Sequence, residues 1–381
     1  MKLSTKAKIV AASAVLAIFI AQPAFAVDLQ GSGASFPYPL IEACKAGFAT
    51  STNHSYTYTS TGSGTGKKNS DAGIGDFWFS DSAHTAATKR ATVFHAPIVA
   101  APIAVLVNLP AKRDFFLSAN NIAKIFAGQI TKWNDPLIAA DNNRSVTTTI
   151  YKKDTKGNAI KDAKGNLVVL RTKTKKTHYT LPNKPIQVVF RSDTSGTSNN
   201  FTAYLNGVAP SIWSKPANDA FTTAFPGKIN APGNIGRIVG ANGSQGIATL
   251  ATKTKYSITY AEKNWGDAYG LRSVNISNAS GNFVAPDSGG VSAFLGEAKQ
   301  DANGIVTYDY LSKEPGVYPL GIVSYMLVDS DYKDKTKAAA VKALATYILS
   351  AACAGKDPSL GYVTLDGKFL KAAQAQIAKI G

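Results

Sequence analysis

Three short segments of this sequence combine glycine with hydroxyl side chains in the way an anion-binding loop requires. They are Gly31-Ser-Gly-Ala-Ser-Phe-Pro37, Thr61-Gly-Ser-Gly-Thr-Gly66 and Thr194-Ser-Gly-Thr-Ser198. Residues without a bulky side chain let several backbone N–H groups converge on one point, and Ser and Thr add hydroxyl donors. Each segment stands just before or beside a predicted helix start, where the positive end of the helix dipole favours negative charge. Any one of these loops, taken alone, serves equally well as an ordinary turn. Two charged groups narrow the reading. Arg191 precedes Ser195 by four residues; its planar fork can hold two oxygens of a tetrahedral oxyanion, with Asp193 close enough in sequence to orient it. Asp81, in Gly75-Asp-Phe-Trp-Phe-Ser-Asp81, is a carboxylate that an anion site should avoid unless the ligand brings a proton for it to accept. Phosphate carries such a proton at neutral pH and sulfate does not. The same Ser80-Asp81-Ser82 run also fits a helix cap.

Other chemistries fail on spacing. A P-loop needs Gly, four residues, then Gly-Lys-Ser/Thr; here Thr61 stands at the first position and Lys68 at the last. Thr61 likewise breaks a G-x-S-x-G elbow around Ser63. His54, His84, His95 and His178 are scattered, so neither a metal nor another cofactor is expected. A phosphatase using the same cradle would lack both a metal cluster and a visible nucleophile–base pair.

The loops need rigid elements to hold them, and strands and helices alternate along the chain in an α/β pattern. Pro37 and Pro39 open a helix in which Leu40, Ile41, Cys44 and Phe48 share one face. Ile103 to Asn108 reads as a buried strand closed by Pro110. Ser118 caps a short helix with Ile122, Ile125 and Phe126 on one side and Gly128 at its end. Ile186 to Phe190 is a strand followed at once by a turn and a helix carrying Phe201, Tyr204 and Leu205. Near the end, Thr336 is the expected cap of a helix with Val341, Leu344, Ala345 and Ile348 at helical spacing.

Composition bounds the rest. The chain has 381 residues, 45% of them hydrophobic, enough for two domains or one large one. This excludes a disordered tail, a collagen-like repeat and a disulfide-dense miniprotein. Lys2, Lys6 and Lys8 precede an apolar run from Ile9 to Ile20 and then Ala24-Phe25-Ala26, the layout of a secretory signal peptide over residues 1–26. No cysteine near that point offers a lipid anchor, so a periplasmic or secreted protein is expected. The formal charge is +17, from 41 Lys+Arg against 24 Asp+Glu, and +14 remains after the leader. Arg144 to Lys184 alone holds eleven basic residues opposed only by Asp154 and Asp162. That segment reads as polar strand, turn, polar strand: an inserted hairpin in which Asp154-Thr-Lys-Gly-Asn158 nearly repeats as Asp162-Ala-Lys-Gly-Asn166. It is a solvated decoration, a contact arm for an anionic surface, or a steering device for an anionic ligand. Without interleaved aromatics, nucleic acid is not an expected partner. Cys44 and Cys353 are either a disulfide or two buried apolar residues.

Taken together the motifs become specific. Gly33-Ala-Ser-Phe-Pro37, Thr61 to Gly66, Asp76-Phe-Trp-Phe-Ser-Asp81, Gly128-Gln-Ile-Thr-Lys-Trp-Asn-Asp-Pro136, Arg191 to Thr197 and Gly243-Ser-Gln-Gly-Ile247 follow one another in order. In order and spacing the mature chain resembles the phosphate-binding proteins of bacterial high-affinity phosphate ABC importers. The resemblance implies a two-lobed periplasmic-binding-protein fold of type II, its lobes joined by two crossing strands. It implies a first lobe from 27–106 and 285–381, and a second from 107–284 carrying the 144–184 insert. Ile103–Asn108 would be one crossing, with the return between Val284 and Tyr325. It implies a non-enzymatic monomer that captures inorganic phosphate and hands it to a membrane permease. Carried over residue by residue, Ser35, the Phe36 backbone and Ser63 supply donors, and Asp81 accepts the phosphate proton. Arg191, buttressed by Asp193, pairs with phosphate oxygens, and Ser195, Gly196 and Thr197 donate from a helix start. Cys44 and Cys353 fall in one lobe, which favours their bonding. Three features depart from the pattern: the bulky Phe77-Trp78-Phe79, the basic insert and the missing lipid-anchor cysteine.

Overall fold

The computed structural model describes residues 26–110, 113–143, 145–155, 158–176, 178–355 and 360–381. The predicted leader at 1–26 therefore lies outside the described residues except for Ala26. The chain opens with β1 (Asp28–Gly33), α1 (Tyr38–Thr52), β2 (Ser55–Ser60), α2 (Ser63–Ala72) and β3 (Phe77–Ser80). The three strands are parallel, with β1 in the middle. Helix α1 forms where Pro37 and Pro39 set the first turn, and it buries the four residues its periodicity marked, Leu40, Ile41, Cys44 and Phe48. Burying each of the larger three contributes roughly 1.5–3 kcal/mol.

A 15-residue strand, β4 (Val93–Val107), follows. It is longer than the run Ile103–Asn108 read from sequence, because Pro97 and Pro102 disguise its first part. Proline cannot donate to a ladder, and both sit where the ladder is already interrupted. Pro97 flanks the bulge opposite Ser324/Tyr325, and Pro102 is the last partner of one neighbouring strand before Ile103 begins pairing with another.

Next come β5 (Phe116–Leu117), α3 (Ala119–Phe126), α4 (Pro136–Asn142), β6 (Ser145–Tyr151), β7 (Val169–Lys176) and β8 (Gln187–Arg191). They are followed by α5 (Gly196–Val208), α6 (Phe221–Ala224), β9 (Ile238–Ala241), α7 (Gly243–Lys253), β10 (Ser257–Glu262) and α8 (Lys263–Tyr269). Strands β8, β9 and β10 are mutually parallel, with β8 in the middle. The remainder is β11 (Arg272–Ser273), β12 (Asn275–Ser277), β13 (Phe283–Val284), α9 (Ser288–Glu297), β14 (Lys299–Gln300) and β15 (Val306–Thr307). The chain then closes with β16 (Gly321–Asp329), α10 (Lys335–Leu349), α11 (Ala351–Ala354) and α12 (Gly367–Ile377). The cap of α10 is Asp334, whose carboxylate accepts from the Thr336 and Lys337 amides, and not Thr336 itself. A carboxylate two residues upstream reaches both orphan N–H groups and adds a favourable charge at the dipole.

The main sheet runs β2-β1-β3-β16-β4-β10-β8-β9. Two parallel triplets thus flank an antiparallel central pair, β16 and β4, and β4 passes from one triplet's neighbourhood into the other's. This is a two-lobed α/β fold of the type II kind, with the strand that joins the lobes buried along nearly its whole length. Cys44 and Cys353 are bonded, with Cα atoms 5.2 Å apart, tying α1 to α11 across 309 residues of sequence. The insert folds as a two-stranded antiparallel ribbon, β6 against β7, separate from the main sheet. In its two Asp-x-Lys-Gly-Asn segments, Asp154 accepts from the Asn158 amide, and Asp162 from the Lys164 and Asn166 amides. Arg144 and Lys156 of this segment lie outside the described residues.

Candidate anion-binding site

In open α/β sheets, ligands sit beyond the carboxyl ends of parallel strands. Here six such ends meet, three from each lobe. Ser35 follows β1, Ser63 follows β2 and Asp81 follows β3. From the other side, Arg191 ends β8 and leads into Ser195, Gly196 and Thr197; Ser244 follows β9, and Glu262 ends β10. Three helix N-termini, those of α2, α5 and α7, open on the same region. Every one of these side chains is buried: Arg191 is 1% exposed, Asp81 2%, and Ser35 4%.

The contacts draw the two lobes together. Ser35 Oγ lies 3.0 Å from Ser244 Oγ and accepts from the Ser244 amide at 3.2 Å. The Gly64 amide donates to the Thr194 carbonyl at 2.9 Å, and Asn200 Nδ2 donates to the Asp81 carbonyl at 2.6 Å. Lys67 Nζ reaches across to Asp219 at 3.0 Å, and Ser82 Oγ to the same carboxylate at 2.9 Å. Gly196 is needed at this seam: a Cβ there would fall 2.7 Å from Ser63 Oγ and 2.8 Å from the Asp81 carbonyl carbon.

Arg191 is held as the sequence suggested. Its Nε and Nη2 donate to the two Asp193 oxygens at 2.7 and 2.5 Å, which leaves Nη1 to donate to Ser244 Oγ at 3.1 Å. Burial works against the Arg191 charge, but Asp193 outweighs it and holds the guanidinium above its ordinary range. Asp193 is also opposed by burial, and its bonds from Arg191 keep its carboxyl below the usual carboxylate range.

Asp81 is the opposite case. No helix follows it, so it is not a cap. Its Oδ1 accepts from Ser324 Oγ at 2.7 Å; Oδ2 lies 3.4 Å from Ser63 Oγ and 3.5 Å from Thr197 Oγ1. Burial pushes its carboxyl up to about 7, Glu262 adds to the rise, and Ser324, Arg191 and Ser63 hold it down. Burial raises Glu262 too, against the pull of Arg191. One buried guanidinium, already paired, and two reluctant carboxylates therefore share a ring of neutral hydroxyl and amide donors. Such a ring can hold a small tetrahedral anion through many donors and still offer one acceptor to a proton on it. A cleft of about 740 Å³ lies beside the ring, bordered by Ser35, Tyr58, Asn242 and Ser244; Asp81 and Arg191 do not line it.

The profile of the PBP superfamily domain matches residues 20–352. "Phosphate-binding protein PstS3" of Mycobacterium bovis is 31% identical over 308 residues, 79% of this chain and 70% of that protein. The chain belongs to the phosphate-binding protein family of the PBP superfamily. "Phosphate-binding protein PstS" of Haemophilus influenzae is 28% identical over 320 residues, 81% of each chain. Among solved structures, the high-affinity periplasmic phosphate-binding protein PfluDING aligns with a TM-score of 0.66 at 21% identity. It covers 91% of this chain and 93% of its own. The phosphate-binding protein of Stenotrophomonas maltophilia aligns with a TM-score of 0.62 at 19% identity, over 91% of this chain and 93% of its own. At these identities the two structures speak for the fold.

Against this family frame, every site residue read from sequence falls at the convergence of strand ends. Phe36 is fully buried there and its carbonyl accepts from Tyr362 Oη at 2.5 Å. Ser195 caps α5, its Oγ accepting from the Ser198 amide at 3.2 Å, with Gly196 and Thr197 as the first helical residues. Three residues escaped the sequence reading. Ser244 lies inside the Gly243-Ser-Gln-Gly-Ile247 segment, which contributes to the resemblance without an assigned ligand contact, and it starts α7. Ser324 sits in the apolar strand β16, and Glu262 ends a strand with no motif around it.

Proposed function

We propose that this protein is an extracytoplasmic solute-binding protein that captures inorganic phosphate and delivers it to an ABC permease. The observation that carries this reading is a buried proton acceptor, Asp81, beside a buried, carboxylate-backed arginine in a ring of uncharged donors. Oxygens of the anion take hydrogen bonds from Ser35, Ser63, Ser195, Thr197 and the Phe36 and Gly196 amides. Arg191 Nη1 turns from Ser244 to the ligand while Asp193 keeps the guanidinium plane fixed. Asp81 accepts the proton of monohydrogen phosphate and repels fully ionised sulfate, since a buried acceptor without a donor opposite it is costly. The relatives named as phosphate-binding proteins support the same ligand.

In this reading the lobes are 27–106 with 285–381, and 107–284, and they open and close about β4 and the β16 approach. The cross-lobe contacts of Lys67, Ser82 and Asn200 belong to the closed form. The carrier is a monomer that works in the periplasm or as a secreted protein after loss of residues 1–26, and it binds phosphate without turning it over. It takes no nucleic acid. Among the described residues no helix is long and apolar enough to cross a membrane. Isothermal titration tests the proposal: saturable phosphate binding that sulfate does not displace is expected. No heat of phosphate binding, or equal competition by sulfate, overturns it, and hydrolysis of a chromogenic phosphate ester by the pure protein would replace carrier with enzyme.

A further inference from the structure

The β6–β7 ribbon takes no part in the cradle, and its two faces differ. Thr147, Thr149 and Tyr151 look inward over a groove bounded by Asn282, Gly289 and Gly316, and Thr147 Oγ1 is bonded across the ribbon to Thr174 Oγ1 at 2.9 Å. Side chains alternate along a strand, so Arg171, Lys173 and Lys175 form a row on the opposite face. All of β7 is exposed, as are Lys152, Lys153, Lys161 and Lys164 beyond it. Among the described residues none of these cations is within ion-pair distance of a carboxylate. The insert's two acids are committed to its turns, Asp154 on Asn158 and Asp162 on Asn166.

Charge alone fits edge protection, because lysines on a free strand prevent edge-to-edge pairing. That role has no use for exposed aliphatic side chains. Yet of the seven large apolar residues exposed among the described ones, three belong to the insert, Ile160 at 40%, Val169 at 50% and Leu170 at 56%; Val169 stands opposite Tyr151 and shares its groove side, so Leu170 is the one beside the basic row. Leu170 is the extra residue of the bulge opposite Ile150/Tyr151, which pushes it out of the ladder. Cations beside aliphatic side chains suit a surface that is anionic outside and apolar just beneath, where lysine stems lie along the boundary with their charges in the headgroups. Nucleic acid would reward stacking aromatics, and the row contains none.

We propose that the outward face of the β6–β7 ribbon docks on an anionic lipid bilayer, with Arg171, Lys173 and Lys175 on headgroup phosphates and Leu170 in the interface. Co-sedimentation of the full mature chain with vesicles tests this. Binding is expected to phosphatidylglycerol mixed into phosphatidylcholine and to be released by high salt; none is expected to phosphatidylcholine alone. Arg171→Glu/Lys173→Glu/Lys175→Glu should weaken partitioning about 100-fold, and Leu170→Ser about 10-fold, with melting temperature unchanged in both. Absence of binding to the anionic vesicles overturns the proposal, as does an unaffected charge-reversal variant. Full competition by heparin or duplex DNA, together with a serine variant that binds as well as the parent, would also overturn it and leave a general polyanion arm.

Discussion

The cradle and the ribbon both present positive charge, and they handle it in opposite ways. In the cradle the one arginine is 1% exposed, clamped by Asp193 and surrounded by hydroxyls and helix-start amides. On the ribbon, Arg171, Lys173 and Lys175 stand in water with no carboxylate opposite. Selectivity needs the first arrangement: donors fixed in space and desolvated distinguish one oxyanion from another, whereas mobile solvated cations attract anything negative. The formal charge of +17 therefore describes the ribbon far more than the binding site.

The largest expected effect comes from removing the buried cation. Arg191→Ala takes a donor from the ligand and leaves Asp193 as an uncompensated buried carboxylate. Phosphate affinity should drop roughly 1000-fold, or about 4 kcal/mol, by titration. A loss below tenfold would mean that the neutral donors do the binding without the guanidinium, and the contrast would then rest on neutral dipoles alone.

Asp81→Asn comes next and acts on selectivity. An amide can donate to sulfate, so the preference for phosphate over sulfate should fall by at least about 100-fold in a competition titration. Discrimination should suffer more here than in Arg191→Ala. Acid should mimic the substitution in the parent protein: with the carboxyl near 7, sulfate competes better as pH falls through neutrality. Stability runs the other way. A raised carboxyl pKa means that the folded state binds the proton more tightly than the unfolded chain. Its stabilisation is complete below about 4, where the unfolded group protonates, and is lost as pH rises through about 7. Ligand-free Asp81→Asn should therefore melt higher than the parent at pH 8, on the order of the few kcal/mol that the shift represents, and no higher at pH 4. Equal melting at both values would show that Asp81 is solvated in the ligand-free protein.

How much of this was legible in the sequence follows from how local each signal is. The glycine and hydroxyl loops are short-range chemistry, and all three landed at strand ends. Arg191 and Asp193 are two residues apart and pair as their spacing allowed. Helix α1 showed its buried face because four apolar residues recur at one period. What stayed hidden is long-range. Ser324 meets Asp81 across 243 residues, and Ser244 meets Ser35 across 209; neither strand β16 nor the start of α7 carries a local mark of that meeting. The sequence shows only the end of β4 because a proline ordinarily ends a strand, and only the sheet reveals that Pro97 and Pro102 occupy interrupted rungs. The α10 cap is ambiguous in sequence because Asp334 and Thr336 both carry capping side chains, and the structure uses Asp334.

A smaller effect probes the seam between lobes. Lys67 is 14% exposed; it reaches Asp219 across the seam and Ser82 on its own side. Lys67→Met keeps the stem and removes the charge, so phosphate affinity should weaken about fivefold, through faster release, as one net hydrogen-bonded pair predicts. No change would place the closing energy in the Ser35–Ser244 and Gly64–Thr194 contacts instead.

The smallest expected effect is the sharpest check on the comparison. Reversing Arg171, Lys173 and Lys175 to Glu changes the formal charge by six, more than any other substitution considered. If total charge drew phosphate in, affinity would collapse. None of the three side chains touches a cradle residue, and at physiological salt charges are screened beyond about 8 Å. The equilibrium constant should therefore move less than about twofold, while stopped-flow association at low salt slows by a factor of about three at most and regains the parental rate as salt is added. A loss of affinity that persists at high salt would tie the ribbon to the cradle through the groove at Gly289 and Gly316, and the two regions would have to be treated as one.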